Sequence, residues 1–225
     1  QTASKALAAS GAEVLAIYST QWIAVLDQLW QTRPRIEAMH VDENWHEFGE
    51  LHFKMQIDTE LTAAVIPETT PLGVRSKEVN YDAFPIDTGT IVANNYLNSD
   101  GTHALVIGSN NLYHDWDLTE KLSGIVSAQA DKLGRKVAVI GVGGLSGTVF
   151  RDEIDISEDR IASESDDEWN RKILGLMVDG DVAQLKKIAP DYAGQARVDM
   201  GFKHFAWLLG GIGGEFSGAT VHAYG

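Results

Sequence analysis

The chain contains no cysteine among its 225 residues. This absence excludes a disulfide framework, a thiolate metal site and a cysteine nucleophile. It also fits a protein of a reducing compartment, so we expect a cytoplasmic location. Because a chain of this length can bury a large core without covalent cross-links, we expect one domain over residues 1–225.

Basic residues and long apolar runs are scarce. The chain has 18 Lys and Arg against 32 Asp and Glu, and its formal net charge is −14. Such a surface repels a phosphate backbone, so we expect no nucleic-acid partner. No apolar run is long enough to span a bilayer and no signal-peptide pattern is present, so we expect no membrane association. The sequence begins at Gln1 inside a helical pattern, and we therefore expect residues upstream of it.

Short apolar runs alternate with helical patterns along the chain. We predict buried strands at 14–17, 104–109 and 137–142, each bounded by polar or glycine-rich residues. A helical pattern over 118–133, which we expect Asp117 to cap, joins the last two strands. Such a crossover makes those strands parallel. The sequence therefore predicts an α/β fold with a central, mostly parallel twisted sheet and helices on both faces.

Function in such a sheet is expected in the crevice outside the carboxyl ends of the strands. The first strand should end in a polar turn at 19–22, and the strand at 137–142 runs into the glycine-rich turn 143–147. Residues 86–90 also have the composition of a turn, and we predict a last helix over 198–209. The glycine-rich turn offers a serine but no acid, base or metal ligand.

Histidines are concentrated between residues 31 and 56, where the hydrophobic periodicity is weak. His40 and His46 lie six residues apart, so they do not share a helix face, and their spacing with His52 matches no metal-binding motif. We interpret this stretch as an exposed loop or lid rather than a metal site.

Four segments, in this order, resemble the class III extradiol ring-cleavage dioxygenases. Members of that family use non-haem Fe(II) held by two histidines and a glutamate, with two further histidines assisting. The segments are Tyr-Ser-Thr-Gln-Trp at 18–22, Ile-Asp-Thr-Gly at 86–89, Val-Gly-Gly-Leu-Ser-Gly at 142–147 and Gly-Phe-Lys-His-Phe-Ala-Trp at 201–207. The match covers nearly the whole chain and implies the fold of that family.

The chain departs from the family pattern at four positions. By resemblance, Gln21 stands where the family has a histidine ligand, and Lys203 stands where it has the glutamate ligand. Thr88 and Gly147 stand at the two assisting histidines, and the remaining ligand would lie upstream. Glutamine is a poor iron ligand, lysine opposes a dication, and glycine cannot transfer a proton. We therefore expect no catalytic residue and no metal here, with Lys203 paired to a carboxylate.

The resemblance implies the non-catalytic, structural α subunit of a hetero-oligomeric enzyme that opens the ring of 2-aminophenol. Fe(II) and the aromatic substrate would then bind to a homologous catalytic β subunit, in an α2β2 heterotetramer. A first alternative is a self-sufficient ring-cleaving enzyme with its iron site relocated to His40, His46 or His204. A second is a small-molecule binding module that uses a relic pocket lined by Gln21, Thr88, Asn110, Ser146, Lys203 and His204.

Overall fold

The computed structural model describes residues 2–42, 49–82, 86–147, 161 and 163–225. Their strands are β1 (Val14–Ala24), β2 (Gln28–Gln31), β3 (Arg35–Val41), β4 (Glu50–Gln56), β5 (Ser76–Val79), β6 (Ala104–Asn111) and β7 (Val137–Val142). Their α-helices are α1 (Thr2–Ser10), α2 (Thr59–Glu68), α3 (Thr88–Leu97), α4 (Trp116–Lys132), α5 (Glu164–Asp179), α6 (Val182–Gln195) and α7 (Lys203–Gly211). None of these helices is long and apolar enough to cross a bilayer.

The central sheet has five strands in the order β5-β2-β6-β1-β7. Strand β1 lies between β6 and β7 and runs parallel to both, and β2 runs parallel to β5. Only the β2–β6 contact in this sheet is antiparallel among the described strands. The α/β fold with a mostly parallel sheet is therefore confirmed, and β6, α4 and β7 form the predicted crossover with β1 inserted between the two strands.

Both faces of the sheet are covered, because β1 and β6 carry apolar side chains on each side. Leu15 and Ile17 of β1 face a core that includes side chains of α1, α3, β3 and β4. Val14 and Ala16 face a second core, built with α2, α4 and α7. A third core joins α5 and α6 to the outer side of α7. The near-continuous apolar runs of β1 and β6 follow from this two-sided burial.

Two segments that the sequence predicts to be a loop and a turn contain strands in the structure. The interpretation of residues 31–56 as a loop or lid is wrong over its described parts, because β3 and β4 form an antiparallel hairpin. Its side chains Ile36, Phe53 and Met55 are buried against the sheet. The predicted polar turn at 19–22 is also wrong, since β1 continues through it to Ala24, with an irregularity in its pairing between Tyr18 and Ile23.

Helix starts differ from the prediction at three places. The expected turn at 86–90 contains the start of α3, which is capped by the carboxylate of Asp87. Helix α4 is capped by Asp115 rather than Asp117. The last helix begins at Lys203, because Met200 and Phe202 adopt positive φ angles and interrupt the helical path.

Candidate functional site

The carboxyl ends of β1, β6 and β7 meet at one edge of the sheet, where the first turns of α3 and α7 approach them. Gly89 of α3 lies close to the side chains of Ser19, Gln21 and Val142, and His204 of α7 lies against Gly143. The structure therefore brings most of the predicted site residues to one edge of the sheet. Their side chains are described in turn below.

Gln21 binds the start of α3. Its Oε1 accepts a hydrogen bond from the backbone N–H of Gly89 at 2.8 Å. This N–H belongs to the first helical turn, which has no acceptor within the helix. A Cβ at Gly89 would lie 2.8 Å from Ser19 Oγ, so a larger residue would have to displace the side chains of the strand. The amide oxygen of Gln21 is thus committed to a structural contact.

Thr88 connects α3 to the β3 strand. Its hydroxyl donates to Asp42 Oδ2 at 2.6 Å, and His40 Nε2 lies 3.0 Å from the same Oγ1. Because the hydroxyl hydrogen points at Asp42, the imidazole is assigned as the donor to Oγ1. Sequence reasoning missed Asp42, although its spacing of two from His40 in an extended segment could have indicated a shared side.

Asn110 belongs to a buried network. The Tyr18 hydroxyl donates to Asn110 Oδ1 at 2.8 Å, and Asn110 Nδ2 donates to the Thr20 carbonyl at 2.9 Å. Burial raises the pKa of the Tyr18 hydroxyl, which therefore stays protonated near neutral pH. The Tyr18 ring stacks on Trp207 at a centroid distance of 5.2 Å. These contacts tie β1, β6 and α7 together and occupy the amide of Asn110.

Lys203 is buried at the first position of α7. Its ammonium donates to the main-chain carbonyl oxygens of Asn111 at 2.7 Å and His114 at 3.2 Å. Burial lowers the pKa of Lys203, and the charge of Asp115 acts in the opposite direction. The predicted pairing with a carboxylate is wrong, because these carbonyls take the place of an acid. The contact holds the loop between β6 and α4 against α7.

His204 is a neutral, buried imidazole. It is 6% exposed, and its Nδ1 has no hydrogen-bond partner among the residues that the structure describes. Burial lowers the pKa of His204 to about 4, with the charge of Asp199 partly opposing the shift. A Cβ at Gly143 would lie 2.5 Å from Nδ1, so the ring packs directly on the glycine backbone.

Hydrogen bonds hold the turn after β7 against α5 and the C-terminal end of α6. Asn170 Nδ2 donates to Ser146 Oγ at 2.9 Å, and the Tyr192 hydroxyl donates to Asn170 Oδ1 at 2.8 Å. The backbone N–H of Gly147 donates to the Ala196 carbonyl at 3.1 Å. A Cβ at Gly147 would lie 2.5 Å from the Arg197 carbonyl oxygen. A larger side chain at this position therefore requires the backbone to move.

The donors at this edge do not fit ferrous iron. Iron of this kind needs a facial set of histidines and a carboxylate, whereas the groups at the two ligand positions that the resemblance assigns, 21 and 203, are an amide engaged in a hydrogen bond and an ammonium. Among the described residues, no three His, Asp or Glu side chains converge to hold a metal ion. His46, named for a relocated site, lies outside the described residues. A surface cleft of about 710 Å³ lies beside α4 and α7, and none of the six residues predicted to line the relic pocket contributes to it. The relic pocket therefore stays a prediction.

Comparison with known proteins identifies one matching family model and two related enzyme subunits. Residues 1–225 match the LigB family model, described as the catalytic LigB subunit of aromatic ring-opening dioxygenase. The chain is 49% identical to the 2-aminophenol 1,6-dioxygenase alpha subunit of Pseudomonas sp, over 100% of this chain and 83% of that protein. It is 21% identical to the beta subunit of the enzyme of that name from Pseudomonas sp, over 95% of this chain and 73% of that subunit.

More distant relatives share the fold. The chain is 22% identical to 3,4-dihydroxyphenylacetate 2,3-dioxygenase of Escherichia coli, over 90% of this chain and 75% of that protein. The crystal structure of uncharacterized protein JW3007 from Escherichia coli K12 superposes with a TM-score of 0.66 at 10% identity, over 93% of this chain and 80% of that one. The resemblance predicted from four short segments is thereby confirmed, and the chain belongs to the LigB family of aromatic ring-opening dioxygenases.

Proposed function

We propose that this chain is the non-catalytic subunit of a two-subunit extradiol dioxygenase that opens the ring of 2-aminophenol. The observation that carries the proposal is the 49% identity, over the full chain, to a subunit named alpha. A separate beta subunit of an enzyme with that name is also a relative, at 21% identity. The enzyme of that name thus has two kinds of chain, and this chain is far more similar to the alpha subunit than to the beta subunit.

The contacts at the sheet edge support the same proposal. Gln21 and Lys203 stand at the positions that the resemblance assigns to iron ligands, and both are engaged in hydrogen bonds within the chain. An ammonium repels a dication, and a glycine at 147 has no proton to transfer. These residues stabilise the fold at the place where a catalytic chain would hold its metal.

The partner in this proposal is a homologous beta-type chain. It binds Fe(II) and the aromatic substrate, and the two chains assemble as an α2β2 heterotetramer. We also place the complex in the cytoplasm, in keeping with the absence of cysteine. In such an assembly this chain supplies structure and contact surface to the chain that performs the reaction.

Metal content and oxygen uptake test the proposal. The isolated chain, the Pseudomonas sp beta subunit and an equimolar mixture are each incubated with Fe(II), desalted, and assayed for bound iron. Oxygen uptake with 2-aminophenol is then recorded for each sample. We expect substoichiometric iron and no uptake for this chain alone, and uptake only where the beta subunit is present.

The isolated beta subunit is the matched control, because it has the same fold family and the same treatment. One atom of iron per chain together with turnover in the isolated chain would overturn the proposal. His40→Ala then discriminates further, because loss of that iron in the variant would support the relocated site.

A further inference from the structure

Five large apolar side chains are exposed together beside the candidate site. Leu26 is 81% exposed and Tyr113 is 79% exposed, and the other three are each exposed by more than two-fifths. Single exposed apolar residues are common, but a contiguous group indicates a contact surface. We call this group the apolar platform; it consists of Ile23, Val25, Leu26, Leu112 and Tyr113.

Backbone contacts make the platform contiguous. It is built from the end of β1, the β1–β2 connection and the β6–α4 connection, and the two connections leave the sheet side by side. Ala24 pairs with Asn111 in the sheet, and the backbone N–H of Leu112 donates to the Ala24 carbonyl at 2.9 Å. Asn111 Nδ2 donates to the Asp27 carbonyl at 3.0 Å. The two connections are thus joined both before and after Val25 and Leu26.

Lys203 fixes the β6–α4 connection from the interior of the protein. Its ammonium binds the carbonyl oxygens of Asn111 and His114, the residues on either side of Leu112 and Tyr113. Lys203 is 6% exposed, and these carbonyl contacts offset the cost of burying its charge. A loop fixed at both ends loses less conformational entropy on binding than a free one. The platform is therefore ordered before any partner arrives.

The negative charge of the chain indicates which kind of partner fits the apolar platform. The chain carries a net charge of −14, and Asp115 and Asp117 are exposed directly after the platform. The charge of Asp115 interacts with the buried ammonium of Lys203, but neither carboxylate forms an ion pair within the described part of the chain. Two copies meeting through this surface would each present the same acidic surroundings to the other, because a two-fold interface repeats one patch on both sides. A different chain, with basic side chains around an apolar centre, avoids that repulsion.

We propose that the apolar platform is the docking surface for the catalytic beta-type chain, and that Lys203 is the positioning residue that orders it. This inference rests on the proposed function for the existence of that partner and adds the place of contact. The contacting face of the partner carries apolar side chains inside a rim of Lys and Arg. Tyr113 is its expected central contact, because tyrosine is enriched among the residues that dominate binding energy. Leu26 is the most exposed side chain of the platform and is expected to contact the partner beside it.

Binding measurements on matched variants test the surface. The Pseudomonas sp beta subunit is titrated by calorimetry into the wild-type chain, Leu26→Ser, Tyr113→Ser and the control Tyr96→Ser. Tyr96 is 76% exposed on α3, away from the platform, so it matches Tyr113 in type and exposure. We expect Leu26→Ser and Tyr113→Ser each to weaken binding at least about tenfold, and Tyr96→Ser to leave it unchanged.

Lys203→Met tests the positioning role. We expect it to weaken binding, and we expect the double variant Lys203→Met/Tyr113→Ser to bind no more weakly than Tyr113→Ser alone. That non-additivity separates an effect through the platform from a general loss of stability. Additive losses in the double variant would overturn the role of Lys203, whatever the effect of Tyr113→Ser.

The possible failures are distinguishable. Wild-type binding with Leu26→Ser and Tyr113→Ser unaffected would overturn the docking surface and leave the proposed function standing. No binding by the wild-type chain would overturn the proposed function itself. Self-association of the isolated chain in analytical ultracentrifugation, abolished by Tyr113→Ser but not by Tyr96→Ser, would assign the surface to a second copy and refute the charge argument.

Discussion

At the scale of single residues, each of the four positions that the resemblance predicts to depart from the family pattern has a contact in the fold. Gln21 accepts a bond from α3, Thr88 donates one to Asp42, and Lys203 donates two to a loop. Gly147 lets the turn after β7 approach the Arg197 carbonyl. Replacing one of these residues by the group that the resemblance implies would therefore break a structural contact.

His204 makes stability depend on pH. Its pKa is about 4 in the folded chain, against 6.5 for an ordinary histidine. The unfolded chain therefore binds a proton between these values that the folded chain does not, so stability falls as pH falls from about 6.5 to about 4. Above that window the shift contributes nothing. The loss amounts to about 3 kcal/mol at its limit.

Urea unfolding from pH 7.5 to pH 4 measures this loss. Because acidic residues titrate in the same window, the wild-type chain is compared with His204→Gln and with His222→Gln as the exposed control. We expect His204→Gln to lose less stability on acidification, and His222→Gln to follow the wild type. Equal pH dependence in all three proteins would contradict the burial of a neutral imidazole.

At the scale of elements, the entry to α7 determines what the sheet edge contains. Met200 and Phe202 have φ angles of 46° and 66°, which are unfavourable for residues with a side chain. The Phe202 ring compensates by stacking on Phe205 at 4.9 Å and meeting Tyr192 edge-on at 5.1 Å. This sharp entry directs Lys203 and His204 into the protein, and it explains why a regular helix from Val198 was the wrong prediction.

The turn after β7 packs tightly on the segment between α6 and α7. We expect Gly147→Ala to cost about 1–3 kcal/mol, because its Cβ would lie 2.5 Å from a backbone oxygen that side-chain rotation cannot remove. Gly144→Ala is the matched control, since the nearest atom to its Cβ would be Asp199 Cβ at 3.9 Å. Chemical denaturation measures both, and equal stabilities would show that this segment yields readily.

At the scale of the whole molecule, stability and assembly are linked. Any partner that binds only the folded chain raises its free energy of unfolding, by about 2.7 kcal/mol at a free concentration one hundred times Kd. For a domain of this size that corresponds to a rise in Tm of about 5–10 °C. The docking surface predicts this rise when the beta subunit is added.

Because the chain has no cysteine, a single introduced cysteine can be labelled selectively to follow the Tm of this chain in the mixture. A dye attached to Ser99→Cys, in the exposed loop before β6, reports unfolding of this chain alone in the mixture. We expect the rise in Tm for the labelled wild type and for labelled Tyr96→Ser, and a much smaller rise for labelled Tyr113→Ser. The same rise in all three would place the contact elsewhere on the molecule.

The sequence by itself determined the strands β1, β6 and β7, the parallel direction of β6 and β7, and the residue types at 21, 88, 147 and 203. Apolar runs and glycine turns are local signals, so β6, α4 and β7 could be predicted without the rest of the chain. The hairpin β3–β4 could not, because its register depends on burying alternate side chains against a distant sheet.

Only the tertiary structure decided what those residues do. Lys203 binds a carbonyl that lies 92 positions earlier in the chain, and Gln21 binds an amide 68 positions later. His204 becomes neutral because it is buried against Gly143, and Leu26 joins Tyr113 in one surface because β1 and β6 leave the sheet together. Contacts of this kind depend on packing between elements, so no local pattern of residues specifies them.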